Sequence, residues 1–190
     1  MLALHSAEAF DRVSKSLFRI EWTSATDSDW GTAFTIARLQ ISKQLLLATA
    51  KHVVEVASNE PVEWLVQQYD AQSNVVRQIR FTTTPADTPP RVRVHIKMDL
   101  GLLVVPKVGK DGNQFSPDDE EPLCTLPEKF HLTPGTRVGW AGFPLIVHDL
   151  LSHHQLCYCE GVVAAAIYQP DRRLYVVDGH NARGINGGPV

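Results

Sequence analysis

Leu45-Leu46-Leu47-Ala48-Thr49-Ala50-Lys51-His52-Val53-Val54 is an apolar run that ends in small residues and passes at once into His-Val-Val. A lone histidine beside such a run is ordinarily structural. Two other stretches change that reading. Met98-Asp99-Leu100-Gly101-Leu102-Leu103-Val104-Val105 sets a carboxylate at the mouth of an apolar strand, where burial without a partner is costly. Gly184-Ile185-Asn186-Gly187-Gly188-Pro189-Val190 is a glycine-rich turn, and Gly187 and Gly188 tolerate backbone angles that a side chain forbids.

In that order the three stretches resemble segments of the trypsin/chymotrypsin-like serine peptidases, and of their bacterial-type branch in particular. The first resembles the "LTAAHV" segment that carries the general base, and the second the "D-[IL]-A-[LV]-L" strand that carries the orienting aspartate. The third resembles the nucleophile loop, with asparagine where the serine stands. The chain order of histidine, aspartate and nucleophile position is that of the chymotrypsin group, not of subtilisins or α/β-hydrolases. Gly31-Thr32-Ala33-Phe34-Thr35-Ile36 resembles "G-[ST]-G-F-x-I", Val138-Gly139-Trp140-Ala141-Gly142-Phe143-Pro144 resembles "V-x-x-x-G-[YF]-P", and Gly161-Val162-Val163 resembles a "G-x-V" strand. The resemblance runs from about residue 17 to Val190.

It implies an all-β, chymotrypsin-like double β-barrel with the active-site cleft between the barrels, preceded by a short N-terminal helix. Only Gly187 to Val190 follow the nucleophile position, so the second barrel is expected to be truncated at its C-terminal end. It also implies roles. His52 is the general base, Asp99 orients it, and Asn186 holds the nucleophile position. The backbone N–H groups of Gly184 and Asn186 form the oxyanion hole. His180, by its distance from position 186, falls where the family often places its specificity determinant.

Asn186 cannot do the nucleophile's work. Its nitrogen is conjugated into the carbonyl and its oxygen carries no proton for His52 to remove. Ile185 departs from the aspartate of the trypsin branch, which argues against activation by a newly cut N-terminus.

Composition agrees with a globular chain. Of 190 residues, 44% are hydrophobic and 21% charged, enough for one domain or two small ones. The net charge of −3, without a basic block to track phosphate, argues against nucleic acid. No apolar stretch approaches the roughly 20 residues that span a bilayer, and residues 1–10 lack the basic start of a signal peptide. Three cysteines, Cys124, Cys157 and Cys159, do not suggest a disulfide scaffold and favour a reducing, cytoplasmic setting, with a mature secreted domain as the alternative, while the resemblance implies a bacterial one.

The chain punctuates into four parts: an N-terminal extension over 1–16, a first barrel over 17–106 holding His52 and Asp99, a polar inter-barrel linker over 107–122, and an incomplete second barrel over 123–190. Ser6 is placed to cap a helix running to about Ser16. Leu17–Trp22, Val62–Val66, Val75–Phe81 and Arg91–Ile96 alternate apolar with polar residues or carry β-branched runs, the mark of short strands in barrels or sandwiches. Asp171-Arg172-Arg173 after Pro170 reads as a solvated hairpin turn.

His148, His153, His154, Cys157 and Cys159 are residue types that hold zinc, and Cys157 and Cys159 share a face if they lie in a strand. A structural zinc site draws two spaced pairs, however, and a loop followed by a strand accounts for these residues. No metal or cofactor is expected. The partner implied is a peptide or protein in the inter-barrel cleft. Three functions fit: a serine endopeptidase domain made inactive at position 186, a pseudoprotease that binds peptides without cutting, or a structural barrel without a working cleft.

Overall fold

β-branched and aromatic residues at alternate positions favour pleated, half-buried backbone, and ten extended strands dominate the secondary structure of the described residues. The computed structural model describes residues 6–39, 42, 44–115, 123, 131–144, 147, 153–169 and 172–179. The first helix, α1, spans Ser6–Ser14, so it begins at the residue expected to cap it and stops short of Ser16. Its end has a local cause: the Ser14 and Ser16 hydroxyls donate to the carbonyls of Asp11 and Val13, at 3.0 and 2.8 Å, drawing them out of the helical ladder.

Then come β1 (Leu17–Thr23), β2 (Ser28–Leu39), β3 (Gln44–Thr49), α2 (Lys51–Val54), a 3-10 turn (Glu55–Ser58), β4 (Val62–Tyr69), β5 (Val75–Thr83), β6 (Val92–Val94) and β7 (Gly101–Val105). They form one antiparallel sheet of seven strands in the order β5-β4-β1-β2-β3-β7-β6. Register shifts in β2 at Thr35/Ala37 and in β4 at Gln68/Tyr69 bend it. The sheet curls until the Lys110 N–H, beyond β7, donates to the Arg80 carbonyl on β5 at 2.8 Å. Phe18, Ile20, Trp64, Val66, Ile79 and Leu103 fill the interior, each fully buried. The Trp64 indole N–H is satisfied there by the Thr83 hydroxyl at 2.8 Å.

The polar stretch after Lys107 is less detached than its composition implies. Phe115 turns back through an N–H bond to the Lys107 carbonyl at 2.7 Å. Its ring is buried beside Phe18, with centroids 6.1 Å apart, and the Arg77 guanidinium lies 4.7 Å above it. Residues 116–122 lie outside the described residues.

A second antiparallel sheet, in the order β10-β9-β8, consists of β8 (Arg137–Gly142), β9 (Cys157–Gln169) and β10 (Arg172–Asp178). Arg172 and Arg173, expected in the turn, already belong to β10, paired with Gln169 and Tyr168, while Pro170 and Asp171 lie outside the described residues. Among the described residues this sheet stays open. Val162, Ile167, Leu174 and Val176 share one of its faces and remain exposed.

A second core joins the two sheets. Leu17, Tyr69, Ala141, Phe143 and Leu156 are buried together, with Phe10 and Val13 of α1 packed against them. This seam explains why β1 is buried on both faces, where alternation predicts a polar outer face. Arg19, on the same face of β1 as Leu17, is buried too, bonded to Glu21 at 2.6 Å and Gln67 at 2.9 Å, with its guanidinium 5.6 Å from the Trp30 ring.

Candidate active site

The antiparallel register of β3 and β7 pairs Thr49 with Gly101. Residues leaving β3 and residues entering β7 therefore meet at the same end of the sheet. Ala50, still extended, turns the chain into α2, which presents His52. Asp99 approaches from the other side. Its Oδ2 lies 2.8 Å from His52 Nδ1, and its Oδ1 accepts the His52 backbone N–H at 3.0 Å. One carboxylate thus satisfies a helix-start N–H that has no partner within α2 and fixes the ring. With Nδ1 donating to Asp99, Nε2 is left as the acceptor. Partial desolvation acts to raise the Asp99 pKa, but hydrogen bonds from the His52 backbone and ring, the His52 charge and the Lys51 N–H outweigh it and hold the carboxyl below its ordinary value. Both side chains remain open to solvent, at 46% for His52 and 58% for Asp99.

Three further contacts set this geometry. At Gly101 a Cβ would lie 2.3 Å from Val54 Cγ2, so the absent side chain lets α2 sit directly on β7. Thr49, at the end of β3, donates its hydroxyl to the Thr32 carbonyl at 2.7 Å, and the Thr32 hydroxyl accepts the Phe143 N–H at 3.1 Å. Strand β2 is thereby tied both to the strand that delivers His52 and to the residue just beyond β8. Thr32, Thr49 and Gly101 all lie in the quoted motif stretches, but their roles depend on contacts that spacing does not reveal.

Asn186, Gly184 and His180 lie outside the described residues, as do His148 and Cys124. Of the other metal-type side chains, the His154 ring packs edge-on against Trp30 with centroids 5.4 Å apart. Cys157 and Cys159 are free thiols on β9, and burial, with a contribution from Cys159, raises the Cys157 pKa. Among the described residues no three His, Cys, Asp or Glu side chains gather as a metal site, and no helix is long and apolar enough to cross a membrane. A cavity of about 410 Å³ lies at the far end of β3 and β7 from His52, between Gln44, Val104 and the loop at Pro89.

No family model and no curated protein matches the chain in sequence. Solved structures match it in fold. The HtrA-type protease AlgW, determined with a tripeptide, superposes with a TM-score of 0.63 at 16% identity, over 97% of this chain and 50% of that one. The serine endoprotease from Yersinia pestis gives 0.59 at 14% identity, over 99% and 53%. Rv3671c from M. tuberculosis H37Rv, in a mutant inactive form, gives 0.56 at 17% identity, over 100% and 80%. The chain has a trypsin-like serine protease fold and spans about half the length of the first two structures.

Proposed function

We propose that this chain is a trypsin-like serine endopeptidase domain, built for peptide-bond hydrolysis by a His-Asp-Ser triad, that is catalytically dead or nearly so because Asn186 occupies the nucleophile position. The observation that carries this reading is the double engagement of Asp99, one oxygen on the His52 ring and the other on its backbone. A histidine so held has one tautomer and an outward-facing acceptor nitrogen, as a general base requires.

In a complete triad the neutral ring takes the serine proton while the oxygen attacks the carbonyl, and Asp99 stabilises the imidazolium that forms. Backbone N–H groups at positions 184 and 186 would bind the developing oxyanion. Asn186 supplies the N–H but no attacking oxygen, so what survives is the oxyanion hole and a cleft for an extended peptide or protein segment. The same retained pair favours a natural peptide-binding pseudoprotease over a purely structural barrel, which has no use for an oriented imidazole.

Hydrolysis of a broad peptide library by the full-length protein tests the proposal. The parent should be inactive, and Asn186→Ser should gain several orders of magnitude, up to about 10⁶ if the site is otherwise intact. A folded Asn186→Ser protein with no hydrolysis, or an active parent, contradicts it.

A further inference from the structure

The turn over residues 95–100 joins β6 to β7 and carries Asp99. Its base is closed by the His95 N–H donating to the Leu100 carbonyl at 2.8 Å. Inside it, His95 Nδ1 accepts two backbone hydrogen bonds, from the Lys97 N–H at 3.2 Å and the Met98 N–H at 3.0 Å. Packing adds little: Ile96 is 93% exposed, and Met98 and Leu100 are also exposed. A single ring nitrogen is therefore the main internal support of the turn, and it ends its reach one residue before the carboxylate that orients His52.

We infer that His95 is a positioning residue for Asp99: unprotonated at Nδ1, it folds the turn that sets the carboxylate against His52, and protonated there it releases the turn. The chemistry is that of any imidazole. A nitrogen that accepts from two N–H groups must carry its lone pair, so the ring proton resides on Nε2. A proton added at Nδ1 turns the acceptor into a donor facing two donors, and both bonds are lost together. Imidazoles ordinarily change charge between about pH 5 and 8.

Charged groups around the turn are Arg93 on β6, Lys97 and Asp99 in the turn, and Lys51, His52 and Glu55 on α2 and the 3-10 turn, which pack against β6. Lys51 pairs with Glu55 at 3.7 Å and His52 with Asp99 at 2.8 Å, so one imidazole acts inside the turn and a second on its carboxylate, and the two require separate observation. The inference rests on His52 and Asp99 being the working pair of the proposed site, but not on cleavage.

The experiment is an NMR titration of the full chain from pH 8 to pH 5, following the His95 ring, the His52 Nδ1 proton and amide exchange at Lys97 and Met98. The protection factors of both amides, taken against the intrinsic exchange rate at each pH, should fall at least tenfold with the midpoint of His95, and the His52–Asp99 contact should weaken with them. His95→Asn offers a carboxamide oxygen at similar reach that does not titrate, so it should keep the amides protected across the range. His95→Ala should lose protection and weaken the contact at every pH. The inference is overturned if Lys97 and Met98 are indifferent to His95 protonation, if His95→Ala leaves the contact intact, or if His95→Asn follows the parent's pH course. Absence of the His52–Asp99 contact in the parent at pH 8 would instead defeat the paired-site reading, and the positioning role with it.

Discussion

Thr32→Val removes one hydroxyl from the seam between the two sheets and changes little else in shape. Thr32 is fully buried, Phe143 is 1% exposed, and the Phe143 N–H donates to the Thr32 hydroxyl at 3.1 Å. Valine leaves that N–H without its acceptor in a place that water does not reach, and an unsatisfied buried donor costs about 1–3 kcal/mol. No cavity term is added, because a methyl group takes the place of the hydroxyl. For a chain of this length about 1 kcal/mol shifts Tm by roughly 2–4 °C, so the loss should lie between about 2 and 12 °C. Urea unfolding measures it, with Thr32→Ser as the control. Serine keeps the acceptor and loses only a buried methyl, about 1 kcal/mol. The two variants separate at the Phe143 amide, whose hydrogen exchange should accelerate in Thr32→Val and hold in Thr32→Ser. Stability of Thr32→Val within about 0.5 kcal/mol of the parent, with the Phe143 amide still protected, would refute the assignment of this contact as the tie between β2 and the second sheet.

Gly101→Ala should destabilise by about 1–3 kcal/mol through overpacking against Val54, and Val54→Ala should relieve part of that loss, giving a coupling of about 0.5–3 kcal/mol in a double-mutant cycle. Purely additive effects would place the close approach elsewhere. The Asp99 carboxyl should titrate below the ordinary value near 3.9, as read by carbon NMR. Because its folded-state pKa is depressed, its share of stability is complete above the unfolded value and is lost as pH falls through the folded one; a midpoint at or above the ordinary value, or one that His52→Ala does not raise, would remove His52 as the cause.

The strands of the first sheet were legible in local alternation, and the meeting of His52 with Asp99 in the motif resemblance. An apolar run with small residues at its end and a second run opening with aspartate become neighbouring antiparallel strands, and their paired ends bring His52 and Asp99 together. What was hidden depends on contacts across long stretches of chain. The Thr32–Phe143 bond spans 111 residues and has no periodicity to betray it. Phe115 reads as one aromatic in a polar segment, yet its burial beside Phe18 extends the first core past the expected barrel boundary. Arg19 alternates as a solvent-facing residue and is buried, because Glu21, Gln67 and the Trp30 ring close around it. Residues 91–96 read as one strand, but His95 bonds its own turn and ends β6 at Val94.

The most direct test of a peptidase site lacking only its nucleophile is labelling by a fluorophosphonate probe, read by intact mass on the full-length protein. The parent should take up no probe, Asn186→Ser should take up one equivalent, and adding His52→Ala to Asn186→Ser should abolish the uptake. A folded Asn186→Ser protein that stays unlabelled, or labelling that survives the loss of His52, would contradict the assignment of positions 52, 99 and 186 to one active site.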